Sequence, residues 1–112
     1  MSQRILSVSY DQSLLATRRM LLEQRGYMVV SALGFIEAIG QCRKADFDLF
    51  ILGHSIPETD KRELIKVFRE NCPGRILSLN RYGEESVPSD FHVSPDDPER
   101  LLKAVESALP SI

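Results

Sequence analysis

The residues best placed to do chemistry are Gly53, His54 and Ser55, which follow the apolar run Leu49-Phe50-Ile51-Leu52 and precede Pro57. The run is too short for a helix, and the turn-forming residues behind it give the pattern of a fully buried parallel strand. In open parallel α/β sheets the ligand or reactive group sits in the crevice at the C-terminal ends of such strands. His54 is a candidate base or metal ligand there, although a loop histidine bonded to backbone is the simpler reading. Ser9 or Ser55 with His54 and Asp11 would make a Ser–His–Asp hydrolase. That chemistry needs mutual hydrogen bonds and an oxyanion hole, and the chain has no strand–Gly-x-Ser-x-Gly–helix elbow. One His without a nearby acid pair or second His is a poor metal site. Cys42 and Cys72 stand apart, without a Cys-x-x-Cys spacing or a nearby His set, and fit reduced, packed thiols.

The elements that must position these residues follow from periodicity. Arg4-Ile-Leu-Ser-Val8 begins a strand, and Ser9-Tyr10-Asp11-Gln12-Ser13 breaks it. Asp11 or Ser13 can cap the helix that follows. Leu14, Leu21 and Leu22 share one face of that helix, with Leu15 beside it, and Gly26 is the expected stop. Tyr27 to Val30 is a second strand. Gly34 opens a second helix with apolar positions Ile36, Ile39 and Cys42, and Gly40 there permits close approach. Phe47 to Leu52 is the third strand. A third helix runs from a Thr59 cap to Asn71, with Leu64, Ile65, Val67 and Phe68 inward and Asp60, Lys61, Lys66, Arg69 and Glu70 on its polar side. Pro73-Gly74 is a turn, and Ile76 to Leu79 is the fourth strand.

Between Asn80 and Asp90 the periodicity fails. Phe91 to Val93 is a short fifth strand. Asp97-Pro98-Glu99 combines a cap, Pro at the first helical position and a first-turn acid, so it starts a helix. Leu101, Leu102, Val105, Ala108 and Leu109 form that helix's apolar face. Strands alternating with helices imply βαβ units and a parallel sheet with right-handed crossovers. The expectation is one α/β domain spanning residues 1–112.

Several of these lines resemble bacterial response-regulator receiver domains. Arg4-Ile-Leu-Ser-Val followed by Asp11 resembles that family's first strand and acidic corner. Arg25-Gly26-Tyr27-Met-Val-Val resembles its junction of first helix and second strand. Asp48-Leu-Phe-Ile-Leu-Gly-His-Ser-Ile-Pro57 resembles its most recognisable line, and Ser94-Pro95-Asp-Asp-Pro-Glu-Arg-Leu-Leu102 its Lys-Pro segment. The resemblance runs from Arg4 to Leu109. It implies a doubly wound, five-stranded parallel sheet in the flavodoxin-like order 2-1-3-4-5 with helices on both faces, and a place in two-component signalling.

The resemblance also assigns positions, and each departs from the family pattern. The phosphoacceptor position falls on Gly53, the acidic pair on Ser9 and Tyr10 with Asp11 as the nearest carboxylate, the hydroxyl residue on Asn80, and the lysine on Ser94. These residues, with His54, make up the candidate crevice. Glycine offers no carboxylate to form an acyl phosphate. Magnesium wants octahedral oxygen coordination with one or two carboxylates, and Ser9, Tyr10 and Gly53 supply none. Asp48, at ~3.3 Å per residue, is roughly 17 Å back along the strand, and Asp60 belongs to the next helix. The expectation is therefore a receiver that takes no phosphate at the usual place, with no catalytic residue, metal or cofactor. Polar residues without a metal also avoid the mutual repulsion of clustered carboxylates. The family's helix between strands four and five is expected to be missing or reduced to one turn, because only about ten residues are available for a crossover.

Composition bounds the remaining choices. The 112 residues are 43% hydrophobic and 27% charged, with net charge −2, which suits one soluble domain. No clustered basic surface argues for nucleic acid; Arg18-Arg19 and Arg43-Lys44 read as solvated helix faces. Nothing approaches the ~20 apolar residues of a membrane span, and no signal-peptide core is present, so the expected location is the cytoplasm. A chain of this length is expected to carry no effector domain. Its expected output is a protein contact: a sensor kinase, another regulator, or a second copy as a homodimer. The surface expected to make it is Arg81–Pro95 with the final helix. A ligand-sensing domain using the crevice is the alternative.

Overall fold

The computed structural model describes residues 3–72, 74–80 and 87–109. The described elements are β1 (Arg4–Ser9), α1 (Gln12–Gln24), β2 (Met28–Leu33), α2 (Phe35–Lys44), β3 (Leu49–Leu52), α3 (Glu58–Asn71), β4 (Arg75–Leu79), β5 (Phe91–Val93) and α4 (Pro98–Ala108). The strands form one parallel sheet in the order β2-β1-β3-β4-β5. Val8 pairs with Leu52, and Ser9 with Leu33, so the ends of β1 and β3 meet at one edge.

Alternation along the strands divides the core between the two sheet faces. Leu6 and Val8 of β1 and Phe50 and Leu52 of β3 pack with Ala38 and Cys42 of α2 and Leu64 and Phe68 of α3. Ile5 of β1 and Leu49 and Ile51 of β3 pack with Leu22 of α1 and Leu101 and Val105 of α4. Every residue of β3 is 0% exposed, so the central strand is apolar on both faces, as a strand covered on both sides must be. Phe50 stacks on Phe68 with centroids 4.3 Å apart, and Phe47 meets Phe50 edge-on at 5.9 Å.

The helix ends follow local chemistry. Asp11 accepts from the amides of Ser13 and Leu14, and Asp97 from those of Glu99 and Arg100. Gly26 has φ +90°, a left-handed conformation that lets α1 stop and β2 begin. Four helices flank the sheet in the described residues, which fits a reduced connection between β4 and β5. Arg81 to Ser86, within that connection, lies outside the described residues, as does Pro73 of the expected turn.

Some sequence expectations need correction. Helix α3 starts at Glu58, with Pro57 rather than Thr59 in the cap position and no side-chain cap bond, because Pro57 already holds φ at −57°. Ile36 is 81% exposed; Ala38 and Cys42 carry the buried face of α2. A Cβ on Gly40 would meet nothing within 4 Å, so no close approach depends on it. Strand β3 starts at Leu49; Phe47 is buried but precedes it. Cys42 and Cys72 are buried free thiols, and burial is the main reason the Cys42 thiol sits above its ordinary pKa.

Candidate functional site

At the C-terminal edge the ends of β1 and β3 are tied together by hydroxyls. The Ser9 and Ser55 Oγ atoms are 2.9 Å apart, and the Tyr10 amide donates to Ser55 Oγ at 3.0 Å. Tyr10 sends its hydroxyl to Asp60 Oδ2 at 2.7 Å, linking the end of β1 to the first turn of α3. Burial first, and then the hydrogen bond and charge of Asp60, raise the Tyr10 pKa well above the usual phenol range. The Gly53 amide donates to Val8 O at 2.9 Å, which draws β3's end against β1.

Arg18 fills the space above Gly53. Helical spacing puts it on a solvated face of α1, yet it is 6% exposed. A Cβ built on Gly53 would lie 2.7 Å from Arg18 Nη1 and 3.1 Å from Val8 O. Glycine at 53 is thus what admits the guanidinium. Arg18 Nη2 is 3.2 Å from His54 Nδ1, an arrangement in which Nδ1 accepts and the proton sits on the other ring nitrogen. Nη1 is buried without a hydrogen-bond partner among the described residues. Burial lowers the Arg18 pKa, and the charge of Asp11 partly opposes that; a guanidinium stays charged in either case.

A second cation is buried nearby. Lys61, expected on the polar side of α3, is 2% exposed. Its Nζ donates to Leu79 O at 2.8 Å and to Asn80 Oδ1 at 3.1 Å. Both misplacements have one cause. A long stem buries along apolar surface while its head reaches distant acceptors, and helical periodicity counts only the head.

The expected crevice residues therefore divide. Ser9, Tyr10, Gly53, His54 and Ser55 gather with Arg18 in one cluster. Asn80 turns toward Lys61 and toward His92 Nδ1, 2.7 Å from its Nδ2. Ser94 lies beside Arg18 on the wall of a separate cavity between α1 and α4. Asp11 is occupied as the α1 cap. Ser9 bonds with Ser55, His54 Nδ1 with Arg18, and Asp11 with the first amides of α1. A Ser–His–Asp relay would instead bond nucleophile, base and acid in series.

A magnesium ion of the kind receivers use does not fit these residues. Ser9, Tyr10 and Gly53 bring no carboxylate, and Arg18 places a fixed positive charge against Gly53, where a divalent cation needs oxygen donors with negative charge. Among the described residues no group of three or more His, Cys, Asp or Glu is arranged to hold a metal.

Solved structures share this architecture. A two-component response regulator from Clostridium difficile superposes with a TM-score of 0.84 over 96% of this chain and 96% of its own, at 22% identity. The fold is that of a response-regulator receiver domain. A chain from the complex of histidine kinase ThkA with response regulator protein TrrA matches the receiver fold at TM-score 0.82 and 22% identity, over 96% of this chain and 98% of that one. In sequence, the transcriptional regulatory protein ResD of Bacillus subtilis is 29% identical over 114 residues, covering 95% of this chain. The chain spans about half the length of that curated relative, 48%. No family model matches the chain. The shared architecture is that of receiver domains, and the sequence likeness is to a transcriptional regulatory protein.

No described helix is long and apolar enough to cross a membrane.

Proposed function

We propose that this chain is a receiver domain of two-component signalling that takes no phosphate at the usual position and acts by protein–protein contact. The observation that carries the reading is the Arg18 guanidinium packed on Gly53, 2.7 Å from where a side chain would begin. The position that resembles the phosphoacceptor holds no carboxylate, and a cation from the protein's own helix stands where metal and phosphoryl group would meet. A fixed cation there supplies locally some of the positive charge that a metal would bring. The crevice is thereby held in one arrangement without a phosphorylation step to set it.

The partner is a sensor kinase, another regulator or a second copy of the chain, acting in the cytoplasm. The TrrA–ThkA complex is one instance of a response regulator bound to a kinase. The contact surface is the exposed side of α4 with the segment leading into it, whose described part runs from Val87 to Pro95. Nucleic acid is not a partner of this domain on its charge, net −2.

Intact-mass measurement after incubation with acetyl phosphate and magnesium tests the first half of the reading. The expected result is an unchanged mass; a phosphoryl adduct on the folded chain contradicts it. Affinity capture from the cell's own lysate, with and without phosphatase treatment, tests the second. The same protein is expected in both captures, and a partner lost on phosphatase treatment contradicts phosphate independence.

A further inference from the structure

The large hydrophobics left exposed among the described residues are Met20, Met28, Leu33 and Ile36. All of them border the β2 edge of the sheet. Met28 and Leu33 are the first and last residues of β2, while Met20 lies on α1 and Ile36 in the first turn of α2, the helices that pack on that strand. Exposed apolar side chains gathered in one place mark a contact surface.

The edge itself is open. β2 pairs with β1 alone among the described strands. The Met28 amide donates to Gln3 O and the Gly34 amide to Ser9 O, so the even-numbered residues of β2 bond to β1. The N–H and C=O groups of Val29 and Ser31 therefore point away from the sheet. The Leu33 amide also points away, but Glu37 Oε2 accepts from it at 2.7 Å. The open groups are thus centred on Val30. Met28–Leu33 contains no charged residue and no proline, and its register with β1 is unbroken, so it lacks the devices that ordinarily keep an edge from pairing. The opposite edge, β5, is only 3 residues long.

We propose that this edge pairs with the same edge of a second copy of the chain, antiparallel about a two-fold axis through Val30. Val29 then exchanges both N–H···O bonds with Ser31 of the partner subunit, and the axis repeats the pair. The helix above fits the same axis. Leu22 and Val29 share one core cluster, and α1 runs antiparallel to β2 as the crossover between parallel strands. One strand residue rises ~3.3 Å and one helical residue ~1.5 Å, so Val30 is level with about Met20. The axis sets Met20 of each copy near the other, with Arg19 and Glu23 beside it. Those two side chains line a groove along the edge together with Met28, Val29 and Val30, and they bond each other at 3.2 Å. Turned by the two-fold, the basic end of one pair faces the acidic end of the other, so the surface complements its own charge. That self-match is why the occupant is a second copy. The contact is separate from the α4 surface and does not depend on how the domain signals.

Sedimentation equilibrium of the full chain over a concentration series, with amide hydrogen exchange read residue by residue at both ends of the series, tests the contact. A monomer–dimer equilibrium is expected, with exchange at Val29 and Ser31 slower in the concentrated sample than in the dilute one. Ser31→Pro removes an outward N–H while sparing the bonds between β1 and β2, and is expected to stay monomeric. Met20→Lys, at an exposed position, sets like charges across the axis and is expected to weaken association by about tenfold or more. The test therefore stands even if Ser31→Pro fails to fold. A chain that stays monomeric throughout, a dimer without added protection at Val29 and Ser31, or a dimer that either folded variant leaves unchanged would each overturn the proposal.

Discussion

Arg18 and Gly53 are complementary at the level of single atoms. The guanidinium occupies the volume that any side chain at 53 would need, with the Nη1 contact at 2.7 Å and the Val8 carbonyl at 3.1 Å behind it. Arg18's tip can give way, but the backbone oxygen cannot. Gly53→Ala is therefore expected to cost about 1–3 kcal/mol, as overpacking does. In an Arg18→Ala background part of that cost is expected to vanish, leaving a coupling of about 0.5–3 kcal/mol between the two sites. Urea denaturation of the wild type, both single variants and the double variant measures the cycle. Strictly additive losses would show that the two residues do not share that space. The pair also explains what could be read at this scale. Gly53 was legible as a glycine at the position that resembles the phosphoacceptor, because a residue type is visible in a sequence. Arg18 was not, because its partners are His54, far along the chain, and the absence of a side chain at Gly53.

At the scale of elements, α3 is joined to the end of β4 through Lys61, whose ammonium serves the Leu79 carbonyl and the Asn80 side chain. Those acceptors lie at the point where β4 stops, and removing the donor leaves them in a largely buried place. Lys61→Met keeps most of the apolar stem and removes the ammonium. It is expected to destabilise the domain by about 1–3 kcal/mol, the cost of stranded buried polar groups, measured as a lower urea midpoint with unchanged slope. A neutral or stabilising effect would mean that apolar packing at this site outweighs the hydrogen bonds. The helices themselves were largely legible. Asp97-Pro98-Glu99 marked the start of α4, and Leu101, Leu102, Val105 and Ala108 proved to be its buried face. The start of α3 lies at Glu58 rather than after a Thr59 cap because Pro57 sets the first turn through its ring, without needing a capping side chain.

For the whole molecule, alkaline pH is where the edge cluster should show itself. Tyr10 has a pKa raised above its ordinary value of 10.0 by burial, then by the hydrogen bond and charge of Asp60. Tyr27 is also raised, by burial and then by Glu106, with Arg25 opposing. A raised folded-state pKa means that the folded protein holds the proton more tightly than the unfolded chain. The stability this contributes is complete below the ordinary phenol value and is lost as pH rises above it toward the folded-state value. The domain is thus expected to lose stability progressively above about pH 10. Tyr10→Phe is expected to be less stable at neutral pH and to show a shallower alkaline decline, measured by urea denaturation from pH 7 to 11. An unchanged alkaline slope in Tyr10→Phe would show that Tyr10 does not carry the effect.

The sheet, its order through the receiver resemblance, and the two-sided core were all written in the residues. Strand apolarity and helical periodicity are local properties, and burying Leu49 to Leu52 on both faces leaves a covered parallel sheet as the simplest arrangement. By the receiver resemblance, the position expected to carry a reactive carboxylate falls on Gly53. That the Arg18 guanidinium fills the space beside that glycine emerged from the folded chain alone. Long cationic side chains reach from one element to another, and a periodic pattern records where each stem starts. It does not record that Arg18 ends on Gly53 beside His54, or that Lys61 ends on Leu79 and Asn80.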